Sequence, residues 1–122
     1  LVESAKLIQT LGPKYVIIKK GEHGALLFHE NKIFCAPGLP LEEVFDPTGA
    51  GDSFIGGFSA YLSQRGKISF EEMKTAIIIG SALASFTVQE FGTTALEKIS
   101  FTQLAQRIKT FKRLTEFEIE LT

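Results

Sequence analysis

Apolar residues at Val2, Ala5, Ile8 and Leu11 recur near the helical period and predict an opening helix. Gly12-Pro13 ends it, glycine as the cap and proline just beyond. Tyr15 to Ile18 is a continuous apolar run, which predicts a short strand buried on both faces, as in a parallel sheet. Segments 25–29 and 32–36 flank Glu30-Asn31 and predict a hairpin, although Glu-Asn is not a preferred turn pair. Pro37-Gly38-Leu39-Pro40 reads as a rigid loop, and Val44-Phe45 as a short strand leading into Asp46.

Phe54, Phe58 and Leu62 stand at i, i+4 and i+8 and predict a second helix, ended by Gly66. Gly56 and Gly57 lie inside it. Each mid-helix glycine costs ~1 kcal/mol against alanine, so the pair predicts close backbone approach to a neighbour. Ser69 and Glu72 have the spacing of a capping box before a long helix. Phe70, Met73 and Ile77, with the small residues Gly80, Ser81, Ala82, Ala84 and Ser85, predict that this helix packs tightly on the preceding one. Gln89 to Thr94 break it. Ser100 and Gln103 repeat the capping-box spacing, and Leu104, Ile108 and Phe111 continue a last helix. Phe117, Ile119 and Leu121 alternate with charged residues as an edge strand does. Helices interleaved with a buried strand point to an α/β fold.

The candidate chemistry sits in Asp46-Pro47-Thr48-Gly49-Ala50-Gly51-Asp52 and the helix that follows. Gly49, Ala50 and Gly51 are small, so backbone N–H groups can approach a ligand at the positive end of a helix. Asp52 adds a carboxylate in the first turn. An anion pocket with a base in its wall suits phosphoryl transfer to a hydroxyl. The same pattern also describes a plain loop and helix cap. Lys19-Lys20-Gly21-Glu22-His23-Gly24 reads first as a glycine turn between strands, its lysines either solvated or assisting electrostatically. No Walker A pattern occurs: Gly66-Lys67 lacks the following Ser/Thr and the upstream glycine. Phosphate binding therefore falls to Gly49–Gly51. His23 and His29 have no partners at metal-ligand spacing and read as surface residues.

Asp46-Pro47-x-Gly49-Ala50-Gly51-Asp52-x-x-x-Gly56-Gly57-Phe58 resembles, at every fixed position, the C-terminal signature of the ribokinase-like (PfkB) carbohydrate and nucleoside kinases. The resemblance implies a ribokinase-like three-layer α/β sandwich, with residues 1–122 as its C-terminal, nucleotide-binding part. The N-terminal half, with the sugar contacts and lid, is then absent. It implies Asp52 as catalytic base and Gly49, Ala50 and Gly51 as the anion hole for the γ-phosphate. Gly21 and Gly24 would border the nucleotide phosphates. The Gly92 loop would line the adenine side and share a monovalent-cation site, K⁺ or a similar ion, with Asp46 and Thr48. Beyond Gly92 the match in this loop is loose. The implied activity is ATP-dependent phosphorylation of a sugar or nucleoside hydroxyl, with Mg²⁺ accompanying ATP and a homodimer as a conceivable assembly. Two alternatives stand beside it: a non-catalytic nucleotide-binding or structural remnant, and a kinase for a vitamin-type alcohol. The 122 residues alone are expected to be inactive.

Composition narrows the classes. At 122 residues the chain is one domain at most, and 44% hydrophobic with 22% charged residues is a globular balance able to build a core. A net charge of −1 without a basic block argues against nucleic acid as partner. Cys35 is the single cysteine, so no internal disulfide forms, which fits a reducing, cytoplasmic setting. The apolar runs are far shorter than a membrane span. No signal peptide is visible, and the sequence opens on Leu1 rather than Met.

Overall fold

The computed structural model describes residues 1–40, 49–89 and 99–121. In chain order these form α1 (Val2–Thr10), β1 (Val16–Lys19), a 3₁₀ turn (Gly21–His23), β2 (Ala25–His29), β3 (Lys32–Ala36), α2 (Ala50–Arg65), α3 (Phe70–Gln89) and α4 (Phe101–Thr115).

The strands pair in the order β1-β2-β3. β1 is covered on both faces, as its apolar run predicts, but its partner is antiparallel: Ile17 faces Leu27 and Lys19 faces Ala25. The Lys20–Gly24 connection is a tight turn, far too short for the crossover that a parallel pair requires. β2 and β3 form the expected hairpin, with Leu27 opposite Phe34. Its unfavourable turn pair is accommodated by Glu30 at φ 53.

Strand alternation divides the sheet into two faces. Val16, Ile18, Leu26 and Phe28 turn to one side and pack on Ala5 of α1. Ile17, Ala25, Leu27, Phe34 and Ala36 turn to the other and join Phe54, Met73 and Ile77 from α2 and α3. The result is three layers: α1, the sheet, and the α2–α3 pair. Only Ala5 of the α1 stripe is buried, while Val2, Ile8 and Leu11 stay exposed.

α4 packs on the outer side of α3. Both arms of its capping box form: Ser100 Oγ accepts from Gln103 N–H at 3.1 Å, and Ser100 N–H donates to Gln103 Oε1 at 2.9 Å. Arg107 donates to Ser85 Oγ at 2.7 Å and lies 4.0 Å over the Phe86 ring. Burial pushes its guanidinium below the usual arginine range.

Three expectations need correction. Phe117, Ile119 and Leu121 form no strand; they are exposed, Phe117 at 82% and Leu121 at 88%, because no strand among the described residues lies alongside to accept the ladder. The Ser69–Glu72 box is only half made. Ser69 Oγ accepts from Glu72 N–H at 3.2 Å, but the Glu72 carboxylate turns to α2. His29 is not a bystander: its ring stacks on Tyr15 at 4.0 Å and its Nδ1 lies 2.8 Å from the Lys14 carbonyl. His23 is exposed, as expected.

Candidate active site

The first hydrogen bond of α2 runs from Ser53 N–H to the Gly49 carbonyl at 2.9 Å. The N–H groups of Ala50, Gly51 and Asp52 therefore have no acceptor within the helix. Gly49, the N-cap, sits in the left-handed region at φ 85 and carries no capping side chain, so nothing from its own residue plugs these donors. Asp52 stands in the same turn and is exposed. The structure thus brings Gly49, Ala50, Gly51 and Asp52 together as the sequence pattern requires. Gly92, Asp46 and Thr48 lie outside the described residues, as does the expected strand at Val44-Phe45.

Three links fix α2 on α3 and so fix where Asp52 points. At the N-terminal end, Ser53 Oγ and Thr87 Oγ1 are 2.8 Å apart in a buried hydrogen bond. In the middle, Gly57 and Gly80 let the backbones approach. A Cβ on Gly80 would stand 2.6 Å from the Phe54 carbonyl oxygen, and one on Gly57 would stand 3.3 Å from Gly80 Cα. At the C-terminal end, Glu72 accepts from Tyr61 Oη at 2.6 Å and from Arg65 Nη2 at 3.2 Å. The hydrogen bond from Tyr61, then Arg65, holds the Glu72 carboxyl below the usual carboxylate range, and the same bond pushes the Tyr61 phenol up. Gly56 differs from Gly57: a Cβ there meets nothing within 4 Å, so packing does not explain it.

The Gly21–Gly24 turn closes on itself, with Lys20 N–H donating to the Gly24 carbonyl at 2.7 Å. Gly24, at φ 93, lies against the loop after β3, and a Cβ there would collide with the Ala36 carbonyl oxygen. Its local requirement is thus a backbone close approach.

Lys19 connects this turn to the helix. As the last residue of β1 it shares a face with Ile17, toward α2. Its ammonium lies 4.5 Å from the Phe54 ring centroid and 3.6 Å from where a Cβ on Gly51 would be. Sequence reasoning left Lys19 and Lys20 undifferentiated; the i+2 spacing from the core residue Ile17 was the available signal. Sequence reasoning also missed the Ser53–Thr87 pair, which no linear spacing reveals.

Among the described residues no group of three or more His, Cys, Asp or Glu side chains could hold a metal ion, and no helix is long and apolar enough to cross a membrane.

Residues 1–99 match the sequence profile described as pfkB family carbohydrate kinase. The chain belongs to this family. It is 41% identical over 64 residues to a cytidine kinase of Thermococcus kodakarensis, covering 51% of this chain and 23% of that protein. It is 38% identical over 87 residues to a nucleoside kinase of Methanothermobacter thermautotrophicus, covering 70% and 26%. Among solved structures it resembles aminoimidazole riboside kinase from Salmonella enterica, determined with aminoimidazole riboside and an ATP analogue. The TM-score is 0.75 at 31% identity, over 88% of this chain and 35% of that one. The pfkB-family chain therefore has the ribokinase-like fold and spans about a quarter of the length of these curated relatives.

Proposed function

We propose that the protein carrying this chain is an ATP-dependent kinase acting on a hydroxyl of a sugar or nucleoside. These residues supply the phosphate side of its site and the catalytic base. The observation that carries the reading is the placement of three N–H groups with no acceptor within the helix and the Asp52 carboxylate in one turn of α2. An acceptor hydroxyl attacks the γ-phosphorus, a new O–P bond forms, and the bond to the β-phosphate oxygen breaks to release ADP. Asp52 takes the hydroxyl proton. The N–H groups of Ala50, Gly51 and Asp52 hold the charge that gathers on the equatorial oxygens.

Mg²⁺ would accompany ATP, held mostly by phosphate and water oxygens, and would neutralise charge there. The same reading gives Gly21 and Gly24 the nucleotide phosphates, Gly92 the adenine side, and Asp46 with Thr48 a K⁺-type ion. Rates that rise when Na⁺ is replaced by K⁺ at fixed ionic strength would support the ion site, and equal rates would count against it. The nucleoside and cytidine kinases among the relatives favour a nucleoside or sugar acceptor over a vitamin-type alcohol. For residues 1–122 alone we propose nucleotide binding without transfer, because the chain spans only 35% of the solved kinase.

Asp52→Asn in the whole protein tests the assignment. ATP affinity stays near wild type while kcat falls ~10²–10⁴-fold. A variant that keeps more than half the wild-type kcat removes Asp52 from the mechanism.

A further inference from the structure

The outer edge of β3 and the segment after α4 are both open, and their patterns match. β3 pairs with β2 along one edge, and among the described residues no strand pairs with the other. Such an edge is a row of N–H and C=O groups ready to pair with another chain. Its two faces differ. Ile33 stands opposite Phe28 and Cys35 opposite Leu26, so both share the face of the sheet that carries α1, yet both are exposed. Lys32 and Phe34 turn to the α2–α3 face. There Lys32 Nζ lies 5.5 Å from the Phe70 ring centroid, and Lys74 Nζ lies 5.1 Å from that of Phe34. Lys74 pairs with exposed Glu71 at 3.4 Å, and Lys32 has no carboxylate within ion-pair distance among the described residues. One side of the edge is therefore apolar and the other cationic. Residues 117–121 carry the complement. Phe117, Ile119 and Leu121 are exposed and alternate with the exposed carboxylates of Glu118 and Glu120. Extended beside β3, this segment lays its apolar side chains along Ile33 and Cys35 and its carboxylates along Lys32 and Lys74. A slip of one residue would reverse both matches, so the facing is specified.

We propose that residues 117–121 add as a strand to the β3 edge of a second copy of this chain, the two copies exchanging segments about a twofold axis. The segment leaves α4, which packs on α3, and within one chain both it and the edge stay open. Donor segment and acceptor edge lie on the same chain, so a reciprocal exchange closes at two copies. Main-chain hydrogen bonds supply the attachment, and the two faces supply the selectivity. The proposal is independent of the kinase reading and stands or falls without it.

The test uses the whole protein. Cys35, exposed on the apolar side of the edge, is the single cysteine of these 122 residues and serves as the reporter. Phe117→Cys, Ile119→Cys and Leu121→Cys are each oxidised and run on non-reducing gels, with and without Cys35→Ser. Glu118→Cys and Glu120→Cys are the opposite-face controls. Residues directly opposite across paired strands bring their Cβ atoms to about 4.5–5.5 Å, near the reach of a disulfide. At least one apolar-face variant should give a covalent dimer that Cys35→Ser abolishes, while the two controls give none. In sedimentation the wild type should be a reversible dimer. Ile119→Lys should raise the dimer Kd roughly tenfold or more, the loss of one buried apolar side chain at each of two junctions. All the substituted segment positions are exposed in the single chain, so the fold is retained, and thermal melts check it. A wild type that sediments as a monomer overturns the proposal, as does a dimer whose Kd Ile119→Lys leaves unchanged. Cross-linking of the glutamate-face variants as readily as the others overturns the facing. A disulfide formed within one chain shows the segment on its own edge and overturns the second copy as its partner.

Discussion

Ser53 Oγ lies 2.8 Å from Thr87 Oγ1, and both residues are buried, so the first turn of α2 is tied to the last turns of α3. The bond joins the residue next to Asp52 to α3. Thr87 Oγ1 also donates to the Leu83 carbonyl at 3.3 Å, which leaves Ser53 to donate to Thr87.

That asymmetry gives unequal costs. Ser53→Ala leaves Thr87 with its Leu83 acceptor and removes about 1 kcal/mol, the net worth of one hydrogen bond. Thr87→Val leaves the Ser53 hydroxyl buried without its partner and costs about 1–3 kcal/mol. Urea denaturation of both variants and of the double variant checks the order. The double variant should cost less than the sum, because the second substitution removes a group already unpaired.

The glycines of the α2–α3 seam separate into two kinds. Gly80→Ala places a methyl 2.6 Å from the Phe54 carbonyl oxygen, a backbone atom that cannot rotate away. The helices must part, at a cost of about 1–3 kcal/mol, and the displaced first turn carries Asp52 with it. Gly56→Ala meets open space and gains up to about 1 kcal/mol of helix propensity. Melting temperatures of the two variants should move in opposite directions. A neutral Gly80→Ala would mean that the seam is looser than the structure describes.

Glu72 gives a pH dependence. Its side chain is 12% exposed, and the hydrogen bond from Tyr61, then Arg65, lowers its folded-state pKa below the ordinary 4.5. A depressed carboxylate stabilises the fold above its unfolded pKa and loses that contribution as pH falls through the folded value. Glu72→Gln should therefore melt lower than wild type at about pH 7, and the gap should narrow toward about pH 3. A gap that is constant across this range would show that Glu72 contributes through packing alone.

Local chemistry made much of this chain legible in the sequence. Helix stops need φ that glycine alone adopts readily, capping boxes need fixed spacing, and a core-facing helix needs the 3.6-residue period. Gly12, Gly66, Ser100–Gln103 and the Phe54–Phe58–Leu62 stripe satisfied those rules and stand where they predict. The candidate site was legible for the same reason. The N–H groups of the first turn, which have no acceptor within the helix, and Asp52 belong to one helical turn, so their proximity is a property of the sequence itself.

Tertiary structure decided the rest. Whether Glu72 would close its own cap or reach across to Tyr61 and Arg65 depended on which helix lay beside it. The tail from Phe117 to Leu121 has a strand's alternation but no edge alongside it among the described residues, and a strand cannot satisfy its backbone alone. Gly56 and Gly57 are neighbours in sequence, yet only Gly57 faces Gly80, because successive residues of a helix point about 100° apart. Lys19 and Lys20 were equivalent as letters. Packing made Lys19 different, by seating half-buried Ile17 against the core on the face that looks toward α2 and setting Phe54 beneath the ammonium.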